Sequence, residues 1–382
     1  RFADKKTEKE TDGGEMKKII ASLCAACLLV GCAVAAKSSE ESGEQGDSVQ
    51  TLSEDTEEEA FQELFDIRAE GIDYLSVEGI ELPPGVHVAL VGKDSGSDYW
   101  KEVEKGAEQA VQDINETLGY TGEEEIELTY DAPSDGDIAE QIDIIDQMLD
   151  KSPDALIISF VDVNSGSTQL ELAESNGVPV LSVDSGVENS LIVSEIKTDN
   201  YQAGAEAARQ LAALIGDSGQ IALLVHSSET ETGIERERGF TEEIRQNHPD
   251  IEIVNVAYQD QDERSTDDIV ASVLSEYPDL KAYQAMNEDT TQALLSALSM
   301  YAPEDRELIV TGFDASQKEA EAIEEGSLAG TVAQNPYGMG YAAAVAALRS
   351  VAGMENAPVI DTGYTWISAD ELSKPSAQLL IY

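Results

Sequence analysis

Strand-like and helix-like segments alternate along the chain from residue 86 onward. The strand-like segments are short runs of aliphatic and β-branched residues bounded by glycine, proline or polar residues. The candidate strands are residues 86–91, 126–130, 155–159, 178–183, 221–225, 251–257, 281–285, 308–311 and 330–333. Runs that are apolar throughout, rather than at every second position, are typical of strands buried on both faces. We therefore predict parallel sheets that are covered by helices on both sides.

Between these strands, apolar residues recur at helical spacing. One set is Trp100, Val103, Ala107, Ala110, Val111 and Ile114, and another is Ile138, Ile142, Ile145 and Leu149. An apolar stripe at every third or fourth position indicates a helix that packs one face on a sheet. The alternation predicts βαβ units and hence a doubly wound α/β fold. Nine strands are many for one sheet, and a change of pattern at residues 195–200 predicts a division into two lobes.

Polar or aromatic side chains follow most of the predicted strands. They are Asp98, Tyr99 and Trp100 after the first strand, Ser159 after the third, Asp184 after the fourth, Arg236 after the fifth, Asn287 after the seventh, Asp314 after the eighth and Gln334 after the ninth. Open α/β sheets bind ligands at the carboxyl ends of their strands. If the two lobes face each other, these side chains line one cleft.

This mixture of side chains suits a neutral polyol. Each sugar hydroxyl both donates and accepts hydrogen bonds, and carboxylate and amide groups can bond to two hydroxyls at once. Aromatic faces also pack on the apolar C–H face of a sugar ring. Each residue has a structural alternative: Asp98, Asn287 and Asp314 as helix N-caps, Trp100 as core, Arg236 as a surface charge and Gln334 as a turn residue. Their coincidence at separate strand ends favours a binding site.

Composition narrows the classes of function. The 382 residues are enough for two domains, and 77 acids against 23 bases give a formal net charge of -54. Such an excess leaves no basic surface for phosphate contacts, so nucleic acid is not expected as a partner. The three cysteines, Cys24, Cys27 and Cys32, lie together near the N-terminus. We therefore expect no disulfide in the body of the protein.

Residues 16–32 have the pattern of an export signal. Lys17 and Lys18 precede a mostly apolar run over residues 19–30, which is short for a membrane span. The end of this run, Leu29-Val30-Gly31-Cys32, resembles the lipobox of bacterial lipoproteins, in which the cysteine is acylated and starts the mature chain. The resemblance implies a lipid anchor at Cys32; cleavage after residues 33–35 is the alternative. Residues 1–15 fit neither scheme, and we expect Met16 to be the natural start.

An acidic segment follows the signal. Residues 40–66 contain many acids, serines and glycines but no lysine or arginine. A segment of this composition buries too little apolar surface to fold by itself. We predict a solvated tether over residues 33–84, which ends where the Pro-Pro-Gly of residues 83–85 marks the entry to the folded body.

The body resembles the periplasmic sugar-binding proteins of the ribose-binding type, which share a fold with the effector cores of lactose-repressor-type regulators. The likeness covers about residues 86–367 and depends on an ordered series of short motifs. They are Ser97-Asp98-Tyr99-Trp100, Gly177-Val178-Pro179-Val180, Asp184-Ser185-Gly186, Thr198-Asp199-Asn200-Tyr201, Arg236 ahead of Gly239-Phe240, Ala285-Met286-Asn287-Glu288, Gly312-Phe313-Asp314 and Ala333-Gln334-Asn335-Pro336. The resemblance implies a type I periplasmic binding protein with two Rossmann-like lobes joined by three crossings. Residues 85–196 and 335–363 would form the first lobe, and residues 197–334 and 364–382 the second.

The resemblance also implies roles for single residues. Tyr99 and Trp100 would stack on the sugar ring, and Asp98, Asp184, Arg236, Asn287, Asp314 and Gln334 would bind its hydroxyls. Two positions depart from the ribose binders, which have asparagine where this chain has Ser159 and arginine where it has Ser185. Both departures argue against ribose itself and leave a monosaccharide as the expected ligand.

We therefore expect an exported, membrane-anchored lipoprotein, monomeric and without a cofactor, that captures a monosaccharide and delivers it to an ABC-type permease. The alternatives are a sugar-sensing lipoprotein that signals to a membrane histidine kinase, and a receptor for a furanose signal or a cyclitol. A transcription regulator of the same fold would need a basic helix-turn-helix ahead of the body, where this chain has an acidic segment.

Neither an enzyme nor a metal protein is expected. The histidines, His87, His226 and His248, are scattered, and no phosphate loop or Ser–His pairing is apparent. The segment that begins at Asp131 imitates part of a calcium loop, but a proline and an isoleucine occupy its third and twelfth positions. Calcium loops carry oxygen ligands at both of those positions.

Overall fold

The computed structural model describes residues 66–134, 136–302 and 307–382, and strands and helices alternate along them. The strands are β1 (Arg68–Ala69), β2 (Ile72–Asp73), β3 (His87–Val91), β4 (Glu127–Asp131), β5 (Ala155–Ile158), β6 (Val180–Val183), β7 (Ile192–Lys197), β8 (Gly219–Val225), β9 (Ile251–Tyr258), β10 (Leu280–Ala285), β11 (Ile309–Phe313), β12 (Gly330–Gln334), β13 (Val359–Asp361) and β14 (Tyr364–Ile367). The helices are α1 (Asp98–Leu118), α2 (Ile138–Asp150), α3 (Ser167–Asn176), α4 (Asn200–Ile215), α5 (Glu231–Asn247), α6 (Thr266–Glu276), α7 (Glu288–Tyr301), α8 (Gln317–Glu325), α9 (Pro336–Val351) and α10 (Pro375–Gln378).

The sequence sets many helix boundaries through capping residues. The side chains that accept a backbone N–H at a helix start are those of Asp137, Asp199, Thr230, Ser265, Asn287, Ser316 and Asn335. Each satisfies one of the N–H groups that the first turn of a helix leaves unpaired. Glycines in the left-handed conformation, among them Gly119 and Gly216, end other helices.

Two six-stranded sheets form two lobes with the same strand order. The first sheet is ordered β13-β7-β6-β5-β3-β4 and is parallel throughout, and the second is ordered β14-β12-β11-β10-β8-β9 with only β14 antiparallel. The chain passes between the sheets after β7, after β12 and after β13. The predicted α/β fold with two doubly wound lobes is confirmed, and β6 and β11 occupy equivalent places in the two sheets.

A close pair of helices covers each lobe on one side, with glycines at the contact. An added methyl group at Gly106 of α1 would lie 2.0 Å from the carbonyl oxygen of Tyr337, and one at Gly340 of α9 would lie 1.8 Å from that of Val103. In the second lobe, Gly204 of α4 stands equally close to the backbone of α5. Only glycine permits this approach of two backbones. Helix α9 therefore belongs to the first lobe, although β12 directly before it lies in the second sheet.

We expect Gly340→Ala to lower the free energy of unfolding by roughly 1–3 kcal/mol, the usual cost of overpacking. The new methyl group must displace main-chain atoms of α1, which cannot rotate away. Urea denaturation measures the change. Gly96→Ala is the control, because its methyl group would meet only the Asp94 carboxylate, at 3.3 Å; equal effects of the two substitutions would contradict this account of the helix contact.

The predicted tether over residues 33–84 extends too far into the chain. Ile67, Tyr74 and Ile80 are at most 2% exposed and belong to the core of the first lobe. The Tyr74 hydroxyl accepts a hydrogen bond from the backbone N–H of Ala357 at 2.7 Å, and β1 and β2 form a small antiparallel hairpin. The buried apolar residues between positions 66 and 84 are widely spaced among polar ones and show no helical or strand periodicity. The prediction therefore depended on the acidic composition alone, which favours a linker.

The predicted signal peptide, with Cys32, and the predicted tether up to residue 65 lie outside the described residues. Within the described ranges, none of the helices has the length and apolar character needed to cross a bilayer.

Candidate functional site

An aspartate in an unusual backbone conformation follows the equivalent strand of each lobe. Asp184 after β6 has φ 61° and Asp314 after β11 has φ 79°, in the left-handed region. In each case the backbone N–H donates to a carbonyl of the neighbouring strand at 2.8 Å, from Ile196 and Val332 respectively. Non-glycine residues adopt this conformation only where the surrounding structure holds them there. The two carboxylates are thus fixed at the carboxyl ends of their sheets.

Asp184 is the centre of the polar cluster in the first lobe. Its side chain is 5% exposed, and its Oδ2 forms an ion pair with the Lys93 ammonium nitrogen at 2.5 Å. The Tyr99 hydroxyl donates to its Oδ1 at 3.0 Å, and the Ser159 hydroxyl lies 3.4 Å from its Oδ2. The ammonium balances the negative charge of Asp184, and the contacts together fix the orientation of its carboxylate. Lys93 was not among the predicted site residues, although it lies two residues after β3 and meets the same strand-end criterion.

Tyr99 and Trp100 pack on each other in the core of the first lobe. Their rings make an edge-to-face contact with centroids 5.5 Å apart. Trp100 is 4% exposed within the core of the first lobe, and the Lys93 ammonium lies 5.8 Å from its ring centre. Tyr99 is buried in the same core at 6% exposed, so burial does not separate the two rings, and stacking of both on a sugar stays a prediction. Tyr99 in addition carries the polar contact to Asp184.

Asp314 is the centre of the corresponding cluster in the second lobe. Its Oδ1 accepts from the Gln334 amide at 2.7 Å, and its Oδ2 accepts from the backbone N–H of Glu288 at 2.9 Å. The carbonyl oxygen of the Gln334 side chain is buried without a hydrogen-bond partner in the described part of the chain. A buried acceptor of this kind normally has a partner, so Gln334 can accept a hydrogen bond from a ligand hydroxyl.

Arg236 is buried and held rigidly. Its Nε donates to the Asn200 side chain at 2.8 Å and its Nη1 to the carbonyl oxygen of Met286 at 2.9 Å. The guanidinium carbon lies 3.8 Å from the ring centre of Phe313. A guanidinium that is 2% exposed and stacked on an aromatic ring is a preorganised donor. The alternative that Arg236 is a charge on a solvated helix face is therefore wrong.

Two of the residues predicted to bind sugar hydroxyls, Asn287 and Asp98, make no hydrogen bond to either aspartate of the two clusters in the described part of the chain. The Asn287 side chain caps α7 by accepting from the backbone N–H of Thr290 at 2.9 Å, which is the alternative that the sequence left open. Asp98 is 65% exposed and pairs with Lys101 at 2.6 Å. Asp98 lies in the first turn of α1, where the helix dipole favours a carboxylate in solvent. The structure thus brings together Tyr99, Ser159, Asp184, Arg236, Asp314 and Gln334, with Asn287 beside them and Asp98 at the surface.

The two clusters act on each other electrostatically. Burial raises the pKa of Asp314, the Arg236 charge opposes that rise, and the Asp184 carboxylate adds to it. Burial also holds the pKa of His226 well below its usual value, and Arg236 and Lys93, one from each lobe, lower it further. His226 is therefore a neutral imidazole that is influenced by charges from both lobes. Its Nε2 lies 3.2 Å from the Thr232 hydroxyl.

Glu288 titrates in an accessible range. Burial, and next the nearby Asp314 carboxylate, raise its pKa from 4.5 to about 7. The folded protein thus binds the proton of the Glu288 carboxyl group more tightly than the unfolded chain does. Glu288 contributes most stability below pH 4.5, and the contribution is lost as the pH rises to about 7. Solvent screening reduces its size, because the side chain is partly exposed.

We expect Glu288→Gln to reduce the loss of stability between pH 5 and pH 8, because the amide does not ionise. The measurement is the difference in melting temperature between the variant and the wild type at each pH, which removes the contribution of the other acids. Equal differences at the two pH values would show that Glu288 has an ordinary pKa.

No group of three or more His, Cys, Asp or Glu side chains within residues 66–134, 136–302 and 307–382 is arranged to hold a metal ion. The polar groups of the site are instead arranged as fixed hydrogen-bond donors and acceptors.

Comparison with known proteins places the chain in a family. Residues 88–355 match the model of the periplasmic binding protein domain. The chain belongs to the periplasmic binding protein family. The ribose import binding protein RbsB of Bacillus subtilis is 27% identical over 220 residues, which cover 58% of this chain and 70% of that protein.

Solved structures agree with this membership. An ABC transporter solute-binding protein from Agrobacterium vitis with bound D-fucose superposes with a TM-score of 0.70 at 25% identity, over 78% of this chain and all of the other. The periplasmic component of an ABC-type sugar transport system from Hahella chejuensis has a TM-score of 0.66 at 30% identity, over 74% of this chain and 99% of the other.

These likenesses confirm the predicted resemblance to the ribose-binding type. The protein is a member of the sugar-binding group of ABC transporter solute-binding proteins, an extracytoplasmic family. The prediction that it is not an enzyme is confirmed as well, because these relatives are binding proteins of transport systems.

Proposed function

We propose that this periplasmic binding protein captures a neutral monosaccharide between its lobes and delivers it to an ABC-type permease. The observation that carries the proposal is the pair of buried aspartates, Asp184 and Asp314, fixed at equivalent strand ends of the two lobes. Each is already surrounded by donors of its own lobe. A ligand that bonds to both carboxylates joins the lobes.

The charge balance supports a neutral ligand. Lys93 neutralises Asp184 by direct contact, and the Arg236 charge opposes the rise in the pKa of Asp314. A charged ligand would bring an uncompensated charge into a buried site, which costs several kcal/mol. Sugar hydroxyls add donors and acceptors without net charge.

Contacts outside the two clusters support a closing motion. The backbone N–H of Val163 in the first lobe donates to the carbonyl oxygen of Glu229 in the second at 2.9 Å. The backbone N–H of Gly186 donates to the Glu231 carboxylate at 2.6 Å. A ligand that binds the closed form better than the open form shifts the population toward closure. The closed form is the state that a permease would recognise.

A thermal-shift screen followed by calorimetry tests the proposal. The panel is D-ribose, D-allose, D-fucose, D-galactose, myo-inositol and nucleosides, with D-glucuronate and D-glucosamine as charged counterparts. A neutral sugar at a hundred times its dissociation constant should add about 2.7 kcal/mol of stability. Stabilisation by a charged counterpart equal to that by the best neutral sugar would contradict the proposal, as would a panel without any binder.

Membrane attachment through Cys32 is part of the same proposal. Its support is the basic, apolar and Gly-Cys pattern of residues 16–32. An acylated cysteine would tether a monomeric receptor beside its permease. We expect Cys32→Ser to move the protein from the membrane fraction to the medium or periplasm, and mass spectrometry of the wild type to show an acylated N-terminal cysteine. An N-terminal peptide that includes Arg1 would refute this processing.

A further inference from the structure

Tyr382 connects the two lobes. Its backbone N–H donates to the carbonyl oxygen of Ala315 at 3.1 Å, and its carbonyl oxygen accepts from the N–H of Gln317 at 2.9 Å. These bonds fix it on the loop that directly follows Asp314. Ile381 packs on a core cluster of the second lobe, whereas the Tyr382 ring packs on the core of the first.

The Tyr382 ring meets Tyr99 across the cleft. The ring centroids are 6.0 Å apart at an interplanar angle of 74°, an edge-to-face contact. Aromatic pairs in this arrangement contribute about 0.5–1.5 kcal/mol beyond the burial of their area. Tyr99 in turn donates its hydroxyl to Asp184. Each tyrosine therefore sits beside the aspartate cluster of its own lobe while its ring contacts the other tyrosine.

The hydroxyl of Tyr382 is directed by a carboxylate. It donates to the Glu288 Oε2 at 3.2 Å. Burial, and then the charges of Asp314, Glu288 and Glu319, hold the pKa of Tyr382 well above its usual value. The group therefore remains a neutral hydrogen-bond donor, and its ring orientation is fixed by a contact at each end.

We propose that Tyr382, packed edge-to-face on Tyr99, holds the two lobes together beside the aspartate clusters and forms part of the wall of the sugar site. This inference rests on the proposed function, because it assigns a wall of the same pocket. The ring contact also contributes to closure without sugar, because neither tyrosine needs a ligand to meet the other.

Small-angle X-ray scattering of the full chain without sugar tests the closing role. We expect Tyr382→Ala to give a larger radius of gyration than the wild type, since the ring contact is lost. Tyr382→Phe keeps the ring and loses only the hydroxyl, so it should retain the wild-type value. Tyr301→Ala is the matched control, because Tyr301 is a 48% exposed tyrosine of the second lobe. An unchanged radius for Tyr382→Ala overturns the inference.

Calorimetry with D-ribose, D-allose and D-fucose as probes tests the pocket wall. For a probe that the wild type binds, Tyr382→Ala should weaken affinity by roughly three- to tenfold, and Tyr382→Phe and Tyr301→Ala should stay within about twofold. Equal weakening by the alanine and phenylalanine variants would overturn the wall contact, provided that circular dichroism shows both to be folded.

The scattering and calorimetry experiments together distinguish a failure of the role of Tyr382 from a failure of the proposed sugar-binding function. If the wild type binds none of the probes and Tyr382→Ala still expands the protein, the choice of ligand class is wrong and the tyrosine contact stands. If the wild type binds a probe and Tyr382→Ala changes neither affinity nor radius, the receptor function stands and the role of Tyr382 is wrong.

Discussion

Replacing Asp314 with alanine is expected to weaken sugar binding at least tenfold. The substitution removes the acceptor for a ligand hydroxyl, takes away the acceptor of the Gln334 amide and of the Glu288 N–H, and removes a negative charge that interacts with Arg236. Loss of one hydrogen bond to a charged group costs roughly 1.5–3 kcal/mol, a factor of about ten to a hundred in affinity. Isothermal titration calorimetry with the sugar selected by the screen measures the dissociation constants of the wild type and of Asp314→Ala.

Asp98→Ala is the matched control for this experiment. Asp98 is an aspartate of the same predicted set, but its side chain is 65% exposed and pairs with Lys101. Exposed ion pairs contribute about 0–1 kcal/mol, so we expect the affinity to change less than about fivefold. Unchanged affinity in Asp314→Ala would remove Asp314 from the site. A larger loss in Asp98→Ala than in Asp314→Ala would show that the sugar binds at the first turn of α1.

Glu231→Ala is expected to weaken sugar binding by roughly tenfold although Glu231 is not one of the strand-end residues. Its carboxylate lies at the start of α5 in the second lobe and accepts from the Gly186 N–H of the first lobe at 2.6 Å. Its other oxygen pairs with Lys197 at the end of β7. Both bonds join the lobes, so their loss lowers the population of the closed form, at about 1.5–3 kcal/mol for a charge-assisted bond.

The signature of this effect is a larger radius of gyration without sugar together with a faster sugar dissociation rate. Glu324→Ala, which removes an exposed carboxylate on α8, controls for the change in net charge and should alter neither quantity. Weaker binding by Glu231→Ala with an unchanged radius would mean that Glu231 acts on the sugar itself and not on closure.

Sequence patterns predicted the strands that are buried on both faces. β5 and β6, with every residue buried, came directly from continuous apolar runs. The patterns missed β7, whose burial is irregular, and β13 and β14, which are three and four residues long. Such strands form because a neighbouring strand offers unpaired backbone groups, and that information is absent from local sequence.

The residues of the candidate site also fall into those that local sequence can predict and those that it cannot. Asp184, Arg236, Asp314 and Gln334 could be predicted as site residues because they follow strands of a recognisable fold, and the structure places them in two buried polar clusters. Ring stacking by Tyr99 and Trp100 was implied by the family resemblance and stays a prediction, because both rings belong to the core cluster of the first lobe and their part in binding depends on the ligand. Tyr382 and Glu231 escaped notice because their partners lie far away in sequence, and contacts across a cleft depend on how two lobes meet.

A crystal structure of the protein with the sugar that binds most tightly tests the central claim most directly. Our account predicts one sugar ring whose hydroxyls bond to Asp184 of the first lobe and to Arg236, Asp314 and Gln334 of the second. A sugar bound to one lobe only, or held at the surface while Asp184 and Asp314 keep only their protein partners, would contradict it.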